Sequence, residues 1–181
     1  AIHKVLGNRG FSLPEKSVER VLGNRVEDLL SMLGIKKDIS LLKIEINNYA
    51  IRRAGSLKPC PFVQEINKIN LVKVIVSNSL VKFMMPFIKK QNLDFDEVIG
   101  PEMKSKLEIF SFLFEKYGVS PDEAVYIGDR AADVQIAAAA GCKAVAVSNK
   151  YSWDSRKEVM REKPDAIIAS LRELGGVLAV I

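Results

Sequence analysis

Residues 125–133, Val-Tyr-Ile-Gly-Asp-Arg-Ala-Ala-Asp, decide the fold class of this chain. A β-branched run ends in Gly128-Asp129, and a second acidic residue, Asp133, follows four positions later at the start of an alanine-rich stretch. Gly128 permits a tight turn, and Gly141 supplies a helix end. The pattern therefore predicts a buried strand that ends at the glycine, followed by a helix over residues 131–140.

The two aspartates of this stretch have a spacing that suits a divalent metal ion. Asp129 follows the strand end and Asp133 lies in the first helical turn, so both carboxylates can face one point. Mg²⁺ prefers such oxygen ligands and completes its shell with water and substrate phosphate. Asp133 alone would also fit as an acidic residue favoured by the helix dipole. We interpret Asp129 and Asp133 as Mg²⁺ ligands.

Further strand and helix patterns alternate on both sides of this unit. The predicted strands are residues 71–76, 98–99, 124–127, 143–148 and 166–168. Such alternation predicts an α/β fold, with a Rossmann-like parallel sheet and helices on both of its faces. Ligands of such sheets bind at the carboxyl ends of the strands. Ser77-Asn78 and Gly128-Asp129 both follow strands, so we expect them to lie at one edge.

The first part of the chain shows only helical periodicity. Apolar residues recur at spacings of three and four, namely Val18, Val21, Leu22, Val26, Leu29, Leu30 and Leu33. A helix start is predicted at Pro14-Glu15, and a second helix over residues 39–53. Pro59-Cys60-Pro61 then breaks the pattern. We predict a small helical domain at residues 1–58 and an α/β domain at 59–181.

Composition excludes several classes of function. The chain has 181 residues and a net charge of +5, but its Lys and Arg residues are scattered and accompany no aromatic-rich nucleic-acid motif. No apolar run approaches the ~20 residues that span a membrane. Cys60 and Cys142 match no metal spacing. We expect a cytoplasmic protein with reduced thiols and with neither a nucleic-acid nor a membrane partner.

The motifs resemble those of the haloacid dehalogenase superfamily, in its capped, phosphoglycolate-phosphatase-like and β-phosphoglucomutase-like subgroup. Gly-Asp-x-x-x-Asp with an alanine-rich helix is similar to the fourth family motif. Residues 74–78, Val-Ile-Val-Ser-Asn, resemble the second. Lys104 matches the third-motif lysine, but Ser105 replaces the usual proline, and Lys106 is a rival candidate.

The resemblance implies a role for each matched residue. The phosphate ligands would be Ser77 and Asn78, the catalytic cation Lys104, and the Mg²⁺ ligands Asp129 and Asp133. Residues 1–58 would form the helical cap that covers the site. Asn24 or Arg25 in the cap would touch substrate, or would have a solvated surface role.

The first motif of the family, a strand followed by Asp-x-Asp-Gly, does not occur in the sequence. The single Asp-x-Asp is Asp94-Phe95-Asp96, which no strand pattern precedes, and Glu97 replaces the glycine. We interpret it as a linking segment. The first core strand and the nucleophile are therefore expected upstream of Ala1. Alternatively, the apolar tail at residues 177–181, after the predicted helix break at Gly175-Gly176, would fill the strand's place.

The resemblance implies Mg²⁺-dependent hydrolysis of a small phosphomonoester through a phosphoaspartate intermediate. A sugar phosphomutase is the alternative among enzymes. An inactive phosphate-binding or interaction module is the alternative outside enzymes. The expected partner is a small phosphorylated metabolite, and the expected assembly is a monomer or weak dimer.

Overall fold

The computed structural model describes residues 1–101 and 105–181. Its α-helices are α1 (Ile2–Asn8), α2 (Glu15–Val21), α3 (Val26–Met32), α4 (Ile39–Arg53), α5 (Val81–Lys90), α6 (Lys106–Tyr117), α7 (Ala131–Ala140), α8 (Arg156–Arg161) and α9 (Leu174–Leu178). Its strands are β1 (Val74–Val76), β2 (Glu97–Ile99), β3 (Val125–Gly128), β4 (Lys143–Val147) and β5 (Ala166–Ile168). Short 3₁₀ turns occupy Ala54–Ser56, Val63–Lys68, Pro121–Glu123 and Leu171–Glu173. The alternation of helices with parallel strands confirms the predicted α/β class.

The chain divides into two compact units. Residues 1–58 and 73–101 form the first unit, and residues 59–72 and 105–181 form the second. The segment that carries β1, α5 and β2 thus packs with the four N-terminal helices. The division into a cap at 1–58 and a core at 59–181 stays a prediction.

The helical core of the first unit is built on α3 and α4. Leu29 and Leu30 of α3 pack with Leu42 and Ile46 of α4, and none of the four is more than 3% exposed. Leu42 and Ile46 are four positions apart, which places them on one apolar face of α4. The start of α2 after Pro14 and the bounds of α4 agree with the sequence prediction.

The first unit also contains a parallel strand pair. β1 and β2 pair in register, with Val74 opposite Glu97. The predicted strand over residues 71–76 was wrong at its start, because Leu71 and Val72 precede the pairing and are exposed by 62% and 57%. Apolar composition alone marked them as a strand, whereas pairing begins only where β2 supplies a partner.

Asp94 and Asp96 hold the start of this strand pair together. The backbone N–H of Lys73 donates to Asp96 Oδ2 at 2.7 Å, and the N–H of Asp96 donates to the Lys73 carbonyl at 2.9 Å. Lys73 Nζ lies 3.3 Å from Asp94 Oδ2. Both carboxylates therefore have a structural role at the start of the strand pair. This role agrees with the interpretation of residues 94–96 as a linking segment.

The second unit contains a three-stranded parallel sheet with β4 in the middle. Val125 of β3 lies opposite Lys143 of β4, and Val145 of β4 lies opposite Ala166 of β5. α7 packs against β3 and β4, with Ala137 fully buried. Small alanine side chains let this helix approach the sheet closely, and so fix the position of its first turn relative to the end of β3.

The tail of the chain forms a helix, α9, rather than a strand. α9 runs through Gly175 and Gly176, so the predicted helix break at these glycines was wrong. The residues that pack together here are Val145, Ile168, Leu174, Val177 and Leu178. The three tail residues of this cluster are spaced by three and four positions, which matches one face of a helix. The alternative prediction that residues 177–181 form a core strand was therefore wrong.

β1 and β3 are each an edge strand within the described residues. An edge strand presents backbone N–H and C=O groups that can pair with a further strand. Both edges are thus compatible with an additional strand from the first family motif. A strand between β1 and β3 stays a prediction.

The described helices include none with the length and apolar character that crossing a membrane requires. Cys60 is exposed and Cys142 is buried. Cys60 and Cys142 both lie in the second unit, and neither is part of a disulfide. The packing of that unit therefore does not depend on a bond between the two thiols.

Candidate active site

The turn after β3 forms the first part of the site. The strand ends at Gly128, Asp129 follows, and α7 begins at Ala131. A Cβ atom built on Gly128 would lie 2.4 Å from both Cβ and Oδ2 of Asp133. No side chain tolerates such a distance, so only glycine allows the Asp133 carboxylate to fold back over the strand end.

Asp129 is held by the loop that follows β4. Its Oδ2 accepts a hydrogen bond from the Trp153 N–H at 2.9 Å. Asp154 accepts from the Ala131 N–H at 2.8 Å, which ties the same loop to the start of α7. Burial raises the pKa of Asp129, and the nearby Asp133 carboxylate raises it further. A carboxylate that is costly to ionise by itself is suited to binding a cation.

Lys106, the first residue of α6, extends into this site. Ser105 caps the helix by accepting from the Glu108 N–H, and so sets Lys106 in the first turn. Lys106 Nζ lies 3.0 Å from Asp133 Oδ1 and 2.6 Å from the Tyr126 hydroxyl. That hydroxyl donates to the same Asp133 oxygen at 3.2 Å. The three polar groups therefore form a closed triangle.

Tyr126 remains a neutral phenol. Burial is the main cause that raises its pKa above the ordinary value, and the Asp133 carboxylate adds to the effect. Its ring packs edge-on against Phe110, with 5.0 Å between ring centroids. A neutral hydroxyl can accept from Lys106 and donate to Asp133 at the same time.

The acidic residues fit a single Mg²⁺ ion with few protein ligands. Residues 1–101 and 105–181 contain no group of three His, Cys, Asp or Glu side chains placed to hold a metal. Mg²⁺ usually takes one or two carboxylates and keeps water and phosphate oxygens as its other ligands. The partly buried Asp129 suits this role. Asp133 Oδ1 accepts from Lys106 and Tyr126, and Mg²⁺ binding by Asp129 and Asp133 stays a prediction.

Ser77 and Asn78 follow β1 in the first unit. The Ser77 N–H donates to the Ile99 carbonyl at 3.0 Å, and Ser77 Oγ accepts from the Ser79 N–H at 3.0 Å. Asn78 Nδ2 donates to the Gly23 carbonyl at 2.9 Å. The Asn78 amide is thus engaged by the turn between α2 and α3. Phosphate binding by Ser77 and Asn78 stays a prediction.

A cavity of about 320 Å³ lies between these segments of the first unit. Asn24 and Arg25 of the turn line it together with Asn78. Lys43 and Glu27, which form an ion pair, also line it. Asn24 and Arg25 are partly buried, and substrate contact by either residue stays a prediction.

The structure brings some of the predicted site residues together. Asp129 and Asp133 lie in one turn of the second unit, as their spacing predicted, and Lys106 joins them. Lys104 lies outside the described residues. Ser77 lies in the first unit, and its proximity to Asp129 stays a prediction.

Sequence reasoning missed the contribution of Tyr126. The available signal was a hydroxyl in an apolar strand, two residues before the glycine of the motif. Alternation along a strand places residues 126 and 128 on the same face. The space that Gly128 leaves on that face is the space that Asp133 occupies, which brings its carboxylate to the Tyr126 hydroxyl.

Comparison with known proteins agrees with this architecture. A phosphoglycolate phosphatase from Pseudomonas savastanoi pv. phaseolicola is 29% identical over 115 residues, which are 60% of this chain and 42% of that protein. The chain thus spans less than half the length of that relative. The sequence of the present chain also matches the model of the haloacid dehalogenase-like hydrolase family, over residues 1–147.

Solved structures share the fold. A haloacid dehalogenase-like hydrolase from Bacteroides fragilis superposes with a TM-score of 0.76 at 23% identity, covering 96% of this chain and 89% of that one. A protein described as a phosphatase from Clostridium acetobutylicum gives 0.81 at 15% identity, covering 99% and 89%. Since the family match extends over most of the sequence and the fold agrees, the chain belongs to the haloacid dehalogenase-like hydrolase family.

Proposed function

We propose that the protein containing this chain hydrolyses a small phosphomonoester in the presence of Mg²⁺, through a phosphoaspartate intermediate. The observation that carries the proposal is the cluster of Asp129, Asp133 and Lys106 at the turn after β3. It combines a carboxylate suited to a cation with a fixed ammonium group. Such a site attracts a phosphate dianion and stabilises the charge that shifts during phosphoryl transfer.

The residues of this chain would bind and orient the reacting groups. Lys106 would neutralise charge on the phosphate, and Asp133 would hold Lys106 in place by their ion pair. Asp129 would hold Mg²⁺ together with the phosphate. When bound, Mg²⁺ supplies charge neutralisation and polarises the phosphoryl oxygens.

The nucleophile would be an aspartate upstream of Ala1, in the Asp-x-Asp motif of the family. Its carboxylate would attack phosphorus and displace the substrate alcohol, and the second aspartate of that motif would protonate the leaving oxygen. Water would then hydrolyse the acyl phosphate and release inorganic phosphate. Asp94 and Asp96 are poor candidates, because both are engaged by Lys73.

The name of the relative supports a small organic phosphate as substrate. Phosphoglycolate is therefore the first compound to test, with p-nitrophenyl phosphate as a general reporter. Release of inorganic phosphate should be measured for the full-length protein, with Mg²⁺ and with EDTA, and for residues 1–181 alone.

The full-length protein is expected to release phosphate only with Mg²⁺, and residues 1–181 alone are expected to release none. Asp129→Asn should abolish the activity, while the control Asp28→Asn, which removes an exposed charge in α3, should retain it. Turnover that persists in EDTA, or turnover by residues 1–181 alone, would contradict the proposal.

A further inference from the structure

Tyr126 carries a polar group into an otherwise apolar strand. Its ring packs against Phe110, a contact that phenylalanine would make equally well. Burying a hydroxyl costs free energy unless the group has hydrogen-bond partners. The hydroxyl therefore needs an explanation beyond the packing of the ring.

The Tyr126 hydroxyl lies between two charged groups that themselves form an ion pair. It accepts from Lys106 Nζ at 2.6 Å and donates to Asp133 Oδ1 at 3.2 Å. An ammonium group only donates and a carboxylate only accepts, whereas a hydroxyl does both. Tyr126 thus satisfies each partner without displacing the 3.0 Å contact between Lys106 and Asp133.

The second acceptor restricts the lysine side chain. A lysine bonded to one carboxylate oxygen can still rotate its ammonium on a flexible four-carbon stem. Contacts to Asp133 and Tyr126 from two directions remove much of that freedom. They engage two of the three N–H donors of Lys106, which leaves one donor to point at another anion.

We propose that Tyr126 is a positioning residue, whose hydroxyl holds Lys106 in the orientation in which its ammonium meets the substrate phosphate. Tyr126 does not touch the substrate and exchanges no proton with it. The role rests on the proposed function, because Lys106 has a phosphate to meet only if the protein acts on one. The contact itself can be tested without any activity.

The first test measures how firmly Lys106 is held in residues 1–181. Reductive methylation at one fixed pH, followed by mass spectrometry of each lysine, reports the accessibility of its amine. Tyr126→Phe removes only the hydroxyl and keeps the ring against Phe110. Losing a charged hydrogen bond should raise the labelling rate of Lys106 by about three-fold or more, while the exposed Lys157 serves as the internal reference.

Two matched variants separate the hydroxyl from packing. Tyr49→Phe removes a hydroxyl from a partly buried ring in α4 and should leave the labelling of Lys106 unchanged. Phe110→Leu disturbs the packing of the Tyr126 ring and keeps the hydroxyl, so it should raise labelling less than Tyr126→Phe. Equal labelling in wild type and Tyr126→Phe, or an equal rise in Phe110→Leu, would overturn the proposal.

The second test uses turnover by the full-length protein. Tyr126→Phe should lower kcat about ten-fold and leave KM within about two-fold, because a misplaced ammonium fails mainly in the transition state. An unchanged kcat in a protein that does hydrolyse phosphate would overturn the positioning role. If labelling rises as expected but the wild-type protein hydrolyses nothing, the proposed function fails while the contact between Tyr126 and Lys106 stands.

Discussion

The backbone N–H of Trp153 lies 2.9 Å from Oδ2 of Asp129, so the single tryptophan of the sequence is anchored to the carboxylate that we propose binds Mg²⁺. Trp153 is about half exposed, at 47%, and the Arg130 guanidinium lies 5.4 Å from the centroid of its ring. A change in the charge of Asp129 therefore acts directly on the loop that carries the only indole in residues 1–181.

Mg²⁺ is expected to change the fluorescence of Trp153. Binding at Asp129 would alter the field at the loop and the position of the indole relative to Arg130. Titration of the full-length protein should give a saturable change in the emission of Trp153, and Asp129→Asn should lose it. Asp28→Asn should respond as the wild type does. A full response in Asp129→Asn would place the cation elsewhere.

Asp129→Asn is expected to stabilise the protein at pH 7 in the absence of metal. Burial raises the pKa of Asp129 above the unfolded value of about 3.9, so the folded state favours the protonated form. The protonated Asp129 therefore contributes stability to the folded state. This stability is fully present below the unfolded pKa and is lost as pH rises through the folded pKa. The stability advantage of the variant should therefore shrink as pH falls towards 4.

Thermal unfolding in EDTA between pH 4 and pH 8 measures this difference. Asn retains an oxygen that can accept from the Trp153 N–H, so the variant tests the charge rather than the hydrogen bond. A variant that is less stable than the wild type at pH 7, or an advantage that grows as pH falls, would contradict the assigned direction of the pKa shift.

Gly128→Ala is expected to disrupt the site and to destabilise the second unit. The new Cβ would lie 2.4 Å from Asp133 atoms, so the first turn of α7 must move. Overpacking of this kind costs about 1–3 kcal/mol, and the contacts of Asp133 with Lys106 would be lost as well.

Gly176→Ala is the matched control, because a Cβ there meets nothing within 4 Å. It lies in α9 and should stabilise the protein by roughly 0.4–1 kcal/mol through the unfolded state. Chemical denaturation of both variants gives the comparison. Equal stability of Gly128→Ala and the wild type would show that Asp133 does not need the space above Gly128.

Lys106→Met is expected to lower kcat of the full-length protein by about 100-fold or more, as loss of a group that stabilises developing charge does. Lys104→Met is the comparison variant, because Lys104 is the other candidate for the lysine of the third motif and lies outside the described residues. Steady-state kinetics of both variants decide which lysine serves the third motif. A larger loss in Lys104→Met would reverse the assignment.

Local patterns in the sequence predicted much of the fold. The spacing of apolar residues located α4, and the alanine run closed by Gly141 located α7. The alternative prediction of a strand at residues 177–181 was wrong. The composition of this run favours a strand, whereas the packing of Leu174 against Val145 and Ile168 favours a helix. Propensity is a weak guide where a short segment docks on an existing core.

Only the residues of the candidate site that belong to one local motif could be predicted from the sequence. The pair Asp129 and Asp133 follows from the geometry of a strand–turn–helix unit. Lys106 reaches Asp133 from the first turn of α6, whose start the cap at Ser105 sets, while Lys104 lies outside the described residues. The contact of Tyr126 with Lys106 joins residues 20 positions apart and depends on the packing of α6 against β3, which no periodicity encodes.

The proposed phosphoaspartate mechanism is tested by locating the phosphoryl group during turnover. The full-length protein is mixed with substrate and Mg²⁺, quenched in acid within the first turnover, digested and mapped by mass spectrometry. The proposed mechanism requires an acid-stable acyl phosphate on an aspartate upstream of Ala1, and this group should be absent in Asp129→Asn. A phosphoryl group on any residue between 1 and 181, such as Ser77 or Asp94, would contradict it.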